Sequence, residues 1–198
     1  MGKWVKRIGL TAAAALLLGS STAVALMVRH EVLERELIAD LGRGGYVIYL
    51  RHAERLKGGR EDLTGDSNPA DFEDCTRQRN LTPYGEGEAA LLGETLRKWG
   101  VSIDQVIANP LCRTRQTAML AFGRATLDQR LYDPQFVRRL LSVPPRLGTN
   151  TVLVGSEFQL RDIIGVQVEP AEMAVFQPTN AGGFTLVGRI APEEWLEE

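Results

Sequence analysis

The stretch VIYLRHAER, Val47 to Arg55, decides how the rest of the chain is read. Val47, Ile48, Tyr49 and Leu50 carry no charge, and Arg51 and His52 follow at once. A short run without a polar stripe is a strand buried on both faces, as the central strands of a parallel sheet are. It delivers its last residues to the rim of that sheet, where ligands of open α/β sheets bind. His52 is one of only two histidines in 198 residues.

The neighbouring segments fit the same plan. Upstream, EVLERELIADLGRGG reads as a short amphipathic helix with Val32, Leu33, Leu37, Ile38 and Leu41 on one side and Gly42 as its stop. Downstream, residues 56–80 are polar with Gly and Pro, and so long a connection is usually a lid or binding loop. LTPYGEGEAALLGETLRKWG is a helix with Thr82 as cap, Pro83 at its first position and Gly100 after its end. DQVIANP is a second strand, RTRQTAMLAF and PQFVRRLL are helices, and TNTVLVGSEFQLRDIIG is a third strand running into a helix. EMAVFQPTNAGGFTLVGRI reads as two strands around a Gly-rich turn. Strands alternating with helices imply an α/β domain: three layers, doubly wound, a mostly parallel sheet with helices on both faces. GRGG precedes a strand and lacks the pattern of a phosphate loop.

Each of the first three strands has a polar tip. The first ends on Arg51 and His52, the second is followed by Arg113, and the third by Ser156 and Glu157. Arginine presents a planar fork that matches phosphate oxygens, and a neutral imidazole is a competent nucleophile toward phosphorus. Solvated strand-end residues are the bland alternative on spacing alone.

Taken in order, LRHAE, RNLTPYGEGEAALLGETL, NPLCRTRQTA and NTVLVGSEF resemble the histidine phosphatase superfamily, the phosphoglycerate-mutase-like enzymes, over about Tyr46 to Gly165. The ending AVFQPTNAGGFTLVGRIAPEEW resembles that of exported members. The resemblance implies that His52 is phosphorylated in a covalent intermediate and that Arg51 and Arg113 neutralise the phosphoryl oxygens. It also implies a general acid after the RTRQTA helix, where RLYDP supplies Asp133, with Asp128 in reserve. Such an acid needs a raised pKa; an aspartate before a proline is equally a helix cap.

The pattern breaks once. Where the family has a second histidine, in V-G-H-[ED], this chain has Ser156. His30, beside the N-terminal apolar run, does not replace it easily. Serine is short and neutral, and loss of one preorganised donor costs on the order of 3 kcal/mol. SEFQ also fits a capping box that opens the following helix. The functional expectation is a phosphomonoester hydrolase for a small phosphorylated substrate, impaired at Ser156 but with Ser156 still among the phosphate-binding residues. The alternatives are a phosphate-binding pseudoenzyme and, more distantly, a mutase.

The N-terminus carries Lys3, Lys6 and Arg7, then no charge from Ile8 to Val28, with Ala23-Val24-Ala25 as a cleavage site. Residues 1–28 therefore read as a signal peptide or a membrane anchor, and residues 29–198 as the histidine-phosphatase-like domain. Either reading exports the domain, to the periplasm or the outer side of the inner membrane. An even pair of cysteines in such a chain, Cys75 and Cys112, suggests a disulfide. No ligand cluster surrounds them, so neither a metal nor a cofactor is expected. A net charge of −2 suggests no nucleic-acid partner. Asn80 begins an N-L-T sequon, relevant only in a eukaryotic secretory pathway.

Overall fold

Alternate residues of the first strand pack on opposite sides of one sheet, and this fixes the layers. The structure, a computed structural model, describes residues 35–57, 72, 74–165 and 167–193. The expected signal or anchor segment, His30, the extreme C-terminus and most of the long loop lie outside the described residues. Two compact units are distinguished, Met1–Leu37 and Ile38–Glu198; the candidate residues named above, His30 apart, belong to the second. Among the described residues no helix is long and apolar enough to cross a membrane.

A helix, α1, is described over residues 35–43. The turn that ends it falls at Gly44, whose φ of +78° is the left-handed region, rather than at Gly42. The chain then forms β1 (Val47–Arg51), α2 (Pro83–Lys98), β2 (Ile103–Ala108), α3 (Cys112–Phe122), β3 (Thr126–Leu127) and α4 (Pro134–Leu141). It ends with β4 (Asn150–Gly155), α5 (Glu157–Ile164), β5 (Met173–Pro178) and β6 (Phe184–Ile190). Short 3-10 turns lie at Cys75–Arg77 and Gln129–Tyr132. The two-residue β3 is too short to carry a readable periodicity, and sequence inspection passes over it.

The six strands make one mixed sheet in the order β3-β2-β4-β1-β5-β6. β3, β2, β4 and β1 are parallel, while β5 and β6 join antiparallel at one side. Val47, Tyr49, Leu153, Ala174 and Phe176 point to a core shared with Leu131, Val137, Leu141 and Leu160. Ile48, Leu50, Val152 and Val154, on the opposite face by period two, are equally buried. That double burial is why Val47–Leu50 of β1 and Val152–Val154 of β4 are runs without a polar stripe. α2 and α3 pack closely enough that a Cβ on Gly93 would lie 2.0 Å from the Ala121 carbonyl oxygen.

Candidate active site

The register of β1 and β4 pairs Arg51 with Gly155, so His52 and Ser156 leave the sheet side by side. The backbone of His52 is fixed on both sides. Its N–H donates to the Gly155 carbonyl at 3.0 Å, and its own carbonyl accepts from the Ala171 N–H at 3.2 Å. The side chain is 2 % exposed. Its Nδ1 lies 2.8 Å from the Ala53 carbonyl oxygen. A carbonyl only accepts, so Nδ1 carries the proton and Nε2 keeps its lone pair. Burial, then the charge of Arg113, then those of Arg51 and Arg55 hold the imidazole pKa down to about 3 against the Ala53 hydrogen bond. The ring is neutral, which a nucleophile requires.

Arg113 stands at the second position of α3 and is buried. Thr117, four residues on and so on the same helical face, joins it to the histidine segment. The Thr117 hydroxyl donates to the Arg113 carbonyl at 2.8 Å and accepts the Ala53 N–H at 3.1 Å. Cys112 forms the expected disulfide with Cys75, the Cα atoms 5.7 Å apart. The Cys112 N–H also donates to Gln78 Oε1 at 2.8 Å, and Gln78 Nε2 donates to the Phe72 carbonyl at 3.0 Å. The end of the long loop is thus fastened directly beside Arg113.

Arg51 is drawn the other way. Its Nη1 donates to the Val168 carbonyl and lies 3.3 Å from Glu157 Oε2. Glu157 therefore balances the charge of Arg51. Glu54, the last residue of the RHAE tetrad, is a latch. Its carbonyl accepts the Thr82 N–H at 3.1 Å, its carboxylate accepts the Thr82 hydroxyl at 3.1 Å, and its N–H donates to Glu88 Oε2 at 2.8 Å. A Cβ on Gly85 would sit 2.0 Å from the Glu54 carbonyl oxygen, so the L-T-x-x-G pattern is the imprint of α2 lying against the tetrad.

Ser156 is the N-cap of α5 and forms its box with Gln159. The firm half is the return bond, from the Ser156 N–H to Gln159 Oε1 at 3.1 Å. The Ser156 hydroxyl itself is buried and makes no well-formed hydrogen bond. Beneath it, the Tyr49 hydroxyl donates to the Ser156 carbonyl at 2.8 Å. Gly155 makes room for that ring, since a Cβ there would lie 2.0 Å from the Tyr49 oxygen. Burial pushes the Tyr49 phenol far up, so it stays a donor.

The two candidate acids are engaged locally. Asp133 caps α4, with Oδ1 accepting the Gln135 N–H at 2.9 Å, and its exposed carboxylate lies 3.9 Å from Arg139. Asp128 is gripped by Arg130, whose hydrogen bonds hold its carboxyl below the usual range. An acid so stabilised as the anion is poorly suited to giving up a proton, which argues against the reserve assignment. Among the described residues no group of three or more His, Cys, Asp and Glu is placed to hold a metal ion. Thr117, Tyr49 and Arg55 escape a reading of the sequence as site residues. For Thr117 a signal existed, the i to i+4 spacing from Arg113. For the other two it did not.

No family model matches the chain. A stretch of 102 residues, 51% of this chain, is 28% identical to the mitochondrial serine/threonine-protein phosphatase Pgam5 of Drosophila virilis. It covers 30% of that protein, so the chain spans under a third of the length of this curated relative. The protein histidine phosphatase SixA, solved with tungstate, superposes with a TM-score of 0.52 at 18% identity, over 74% of this chain and 97% of that one. Phosphoserine phosphatase of Entamoeba histolytica, solved with 3-phosphoglyceric acid, gives 0.52 at 13% identity, over 74% and 96%. The chain has the fold of the histidine phosphatase superfamily, the phosphoglycerate-mutase-like enzymes.

Proposed function

We propose that the protein is a phosphomonoester hydrolase that works through a phosphohistidine at His52 and is impaired by Ser156. One observation carries the reading: a buried, neutral imidazole at a strand end, its Nδ1–H held by Ala53, in the field of Arg113, Arg51 and Arg55. His52 Nε2 attacks phosphorus and the bond to the leaving oxygen breaks. Arg51, Arg113 and the Ser156 hydroxyl take the phosphoryl oxygens, and Asp133 protonates the leaving oxygen through Oδ2, the oxygen not used in its cap. Water then cleaves the N–P bond, returning the imidazole and releasing phosphate. The catalysis asked of the protein is positioning and charge neutralisation. Tungstate in the SixA structure supports a tetrahedral oxyanion as the kind of ligand this fold holds.

A second reading is favoured by Ser156: a phosphate-binding pseudoenzyme that keeps its arginines and lacks turnover. A labelled phosphoryl donor separates the two. The hydrolase yields an acid-labile, base-stable label on His52 that is absent from His52→Gln. The pseudoenzyme binds vanadate and takes no label, and that outcome would sink the hydrolase. The same proposal places the domain outside the cytoplasm, with residues 1–28 cleaved or left as an anchor; the Cys75–Cys112 disulfide supports an oxidising compartment.

A further inference from the structure

Three aromatic rings from three separate segments form one near-parallel stack. The Phe72 and Tyr132 rings have centroids 5.2 Å apart and planes at 18°. The Tyr132 and Phe158 rings follow at 6.4 Å and 18°. The stack is graded in exposure, from Phe72 at 7% to Phe158 at 41%. Both ends belong to segments that carry the proposed phosphate-binding residues. The Phe72 carbonyl is tied through Gln78 to the N–H of Cys112, the residue before Arg113. Phe158 stands in the first turn of α5, two residues after Ser156 and next to Glu157, the partner of Arg51. Since β2 and β4 are neighbours in the sheet, the stack follows the rim from the Arg113 side to the Ser156 side. Its open end, Phe158, follows Ser156 and Glu157 directly in the chain.

We infer that the substrate's leaving group is aromatic, an aryl phosphomonoester whose ring continues the stack on Phe158 while its phosphoryl group meets Arg51, Arg113 and Ser156. This rests on the phosphate reading of the same pocket. Aromatic rings favour offset stacking on another ring beyond what area burial gives. The chemistry agrees with the vacated histidine position. A phenol has a pKa near 10, so an aryl oxide leaves with less help from charge stabilisation and proton transfer than an aliphatic alkoxide. A site short of one donor loses least on such a substrate.

Calorimetric titration of the full chain with phenylphosphonate and methylphosphonate tests this without requiring turnover. The ratio of the two affinities is the readout, for the wild type, Phe158→Ala and Phe158→Leu. Phenylphosphonate should bind roughly three- to tenfold more tightly to the wild type, and both substitutions should remove most of that preference. The leucine variant keeps apolar volume without a ring, and it decides the matter if the alanine variant fails to fold. Equal affinities in the wild type, or a preference that survives both substitutions, would overturn the inference while leaving the phosphate pocket standing. If the wild type binds neither phosphonate nor vanadate, the pocket itself is wrong and the inference goes with it.

Discussion

The end of β1 and the end of β4 lie side by side and are built to different standards. Around His52 the backbone is engaged at every step: its N–H by Gly155, its carbonyl by Ala171, the Ala53 N–H by Thr117 and the Ala53 carbonyl by Nδ1. At the end of β4 the backbone is equally well held, by Gln159 and Tyr49, but among the described residues the buried Ser156 hydroxyl makes no well-formed hydrogen bond and Gln159 Nε2 has no partner. Such groups are costly to bury and call for an explanation. Backbone geometry is held at both strand ends, while a side chain able to carry charge stands at only one, His52 against Ser156. On the proposed function, that difference separates the positioning half of the site from its electrostatic half.

Removing the intact side should have the largest effect. His52→Gln is expected to lower turnover of a general phosphomonoester by about a thousandfold or more, with vanadate still bound. The same variant tests the linkage between this ring and stability. The folded pKa, about 3, lies below the ordinary 6.5. Below 6.5 the unfolded chain therefore takes up a proton that the folded chain refuses, and stability falls as pH drops from 6.5 toward 3. The slope from this residue is up to about 1.4 kcal/mol per pH unit. Denaturant midpoints across that range should flatten in His52→Gln; an unchanged acid slope would mean that His52 is not the buried neutral ring described.

Supplying the weaker side should have the next largest effect. Ser156→His is expected to raise turnover by about tenfold to a thousandfold, the range for one restored donor to developing phosphoryl charge. Because the Ser156 hydroxyl makes no well-formed hydrogen bond, little capping energy is lost. The cost arises from seating an imidazole in a buried position, about 1–3 kcal/mol. A folded, vanadate-binding Ser156→His with no gain in rate would mean that the β4 end is not the weak one.

The comparison also shows what a sequence can carry. The change from VIYL to Arg51-His52 is legible because burial on both faces and a polar tip leave marks on adjacent residues. The RHAE and L-T-x-x-G pieces are legible as motifs, though their reason, Glu54 latching Thr82 and Gly85, needs the third dimension. The capping box at Ser156 is readable from spacing, but the unpartnered hydroxyl is not, since hydrogen-bond geometry leaves no periodic trace. The stack of Phe72, Tyr132 and Phe158 is invisible in one dimension. Its rings are far apart in sequence and meet only because the long loop, a 3-10 turn and the start of α5 converge over one rim.

Thr117 is the joint between the two well-held segments, and its loss should be moderate. Thr117→Val keeps the shape, removes the hydroxyl, and leaves the Ala53 N–H and one bond to the Arg113 carbonyl unmade. A buried group stripped of its partner costs about 1–3 kcal/mol, read as a fall in melting temperature. Misplacement of His52 relative to Arg113 should lower turnover by roughly tenfold in addition. Thr117→Ser should restore both. If the valine variant loses stability but keeps its rate, Thr117 braces the fold without aligning the site.

The smallest effect is expected at Asp133, and it turns on the leaving group. The aspartate caps α4 through Oδ1, a role that asparagine fills about as well. Asp133→Asn should therefore leave the melting temperature nearly unchanged. It cannot give up a carboxyl proton, so the leaving oxygen must depart unassisted or take its proton from water. An aliphatic phosphomonoester, with a basic leaving oxygen, should slow by about tenfold, less than the roughly hundredfold or more usual for general acid catalysis because this carboxylate is exposed. A nitrophenyl phosphate, whose leaving group departs readily as the anion, should slow by less than about twofold. The ratio of the two rates, wild type against variant, is the measurement. Equal losses on both substrates would show that Asp133 acts through the fold and not on the leaving oxygen. No loss on either would mean that the site works without an acid, and the contrast between the two strand ends would then have to account for the proposed impairment by charge alone.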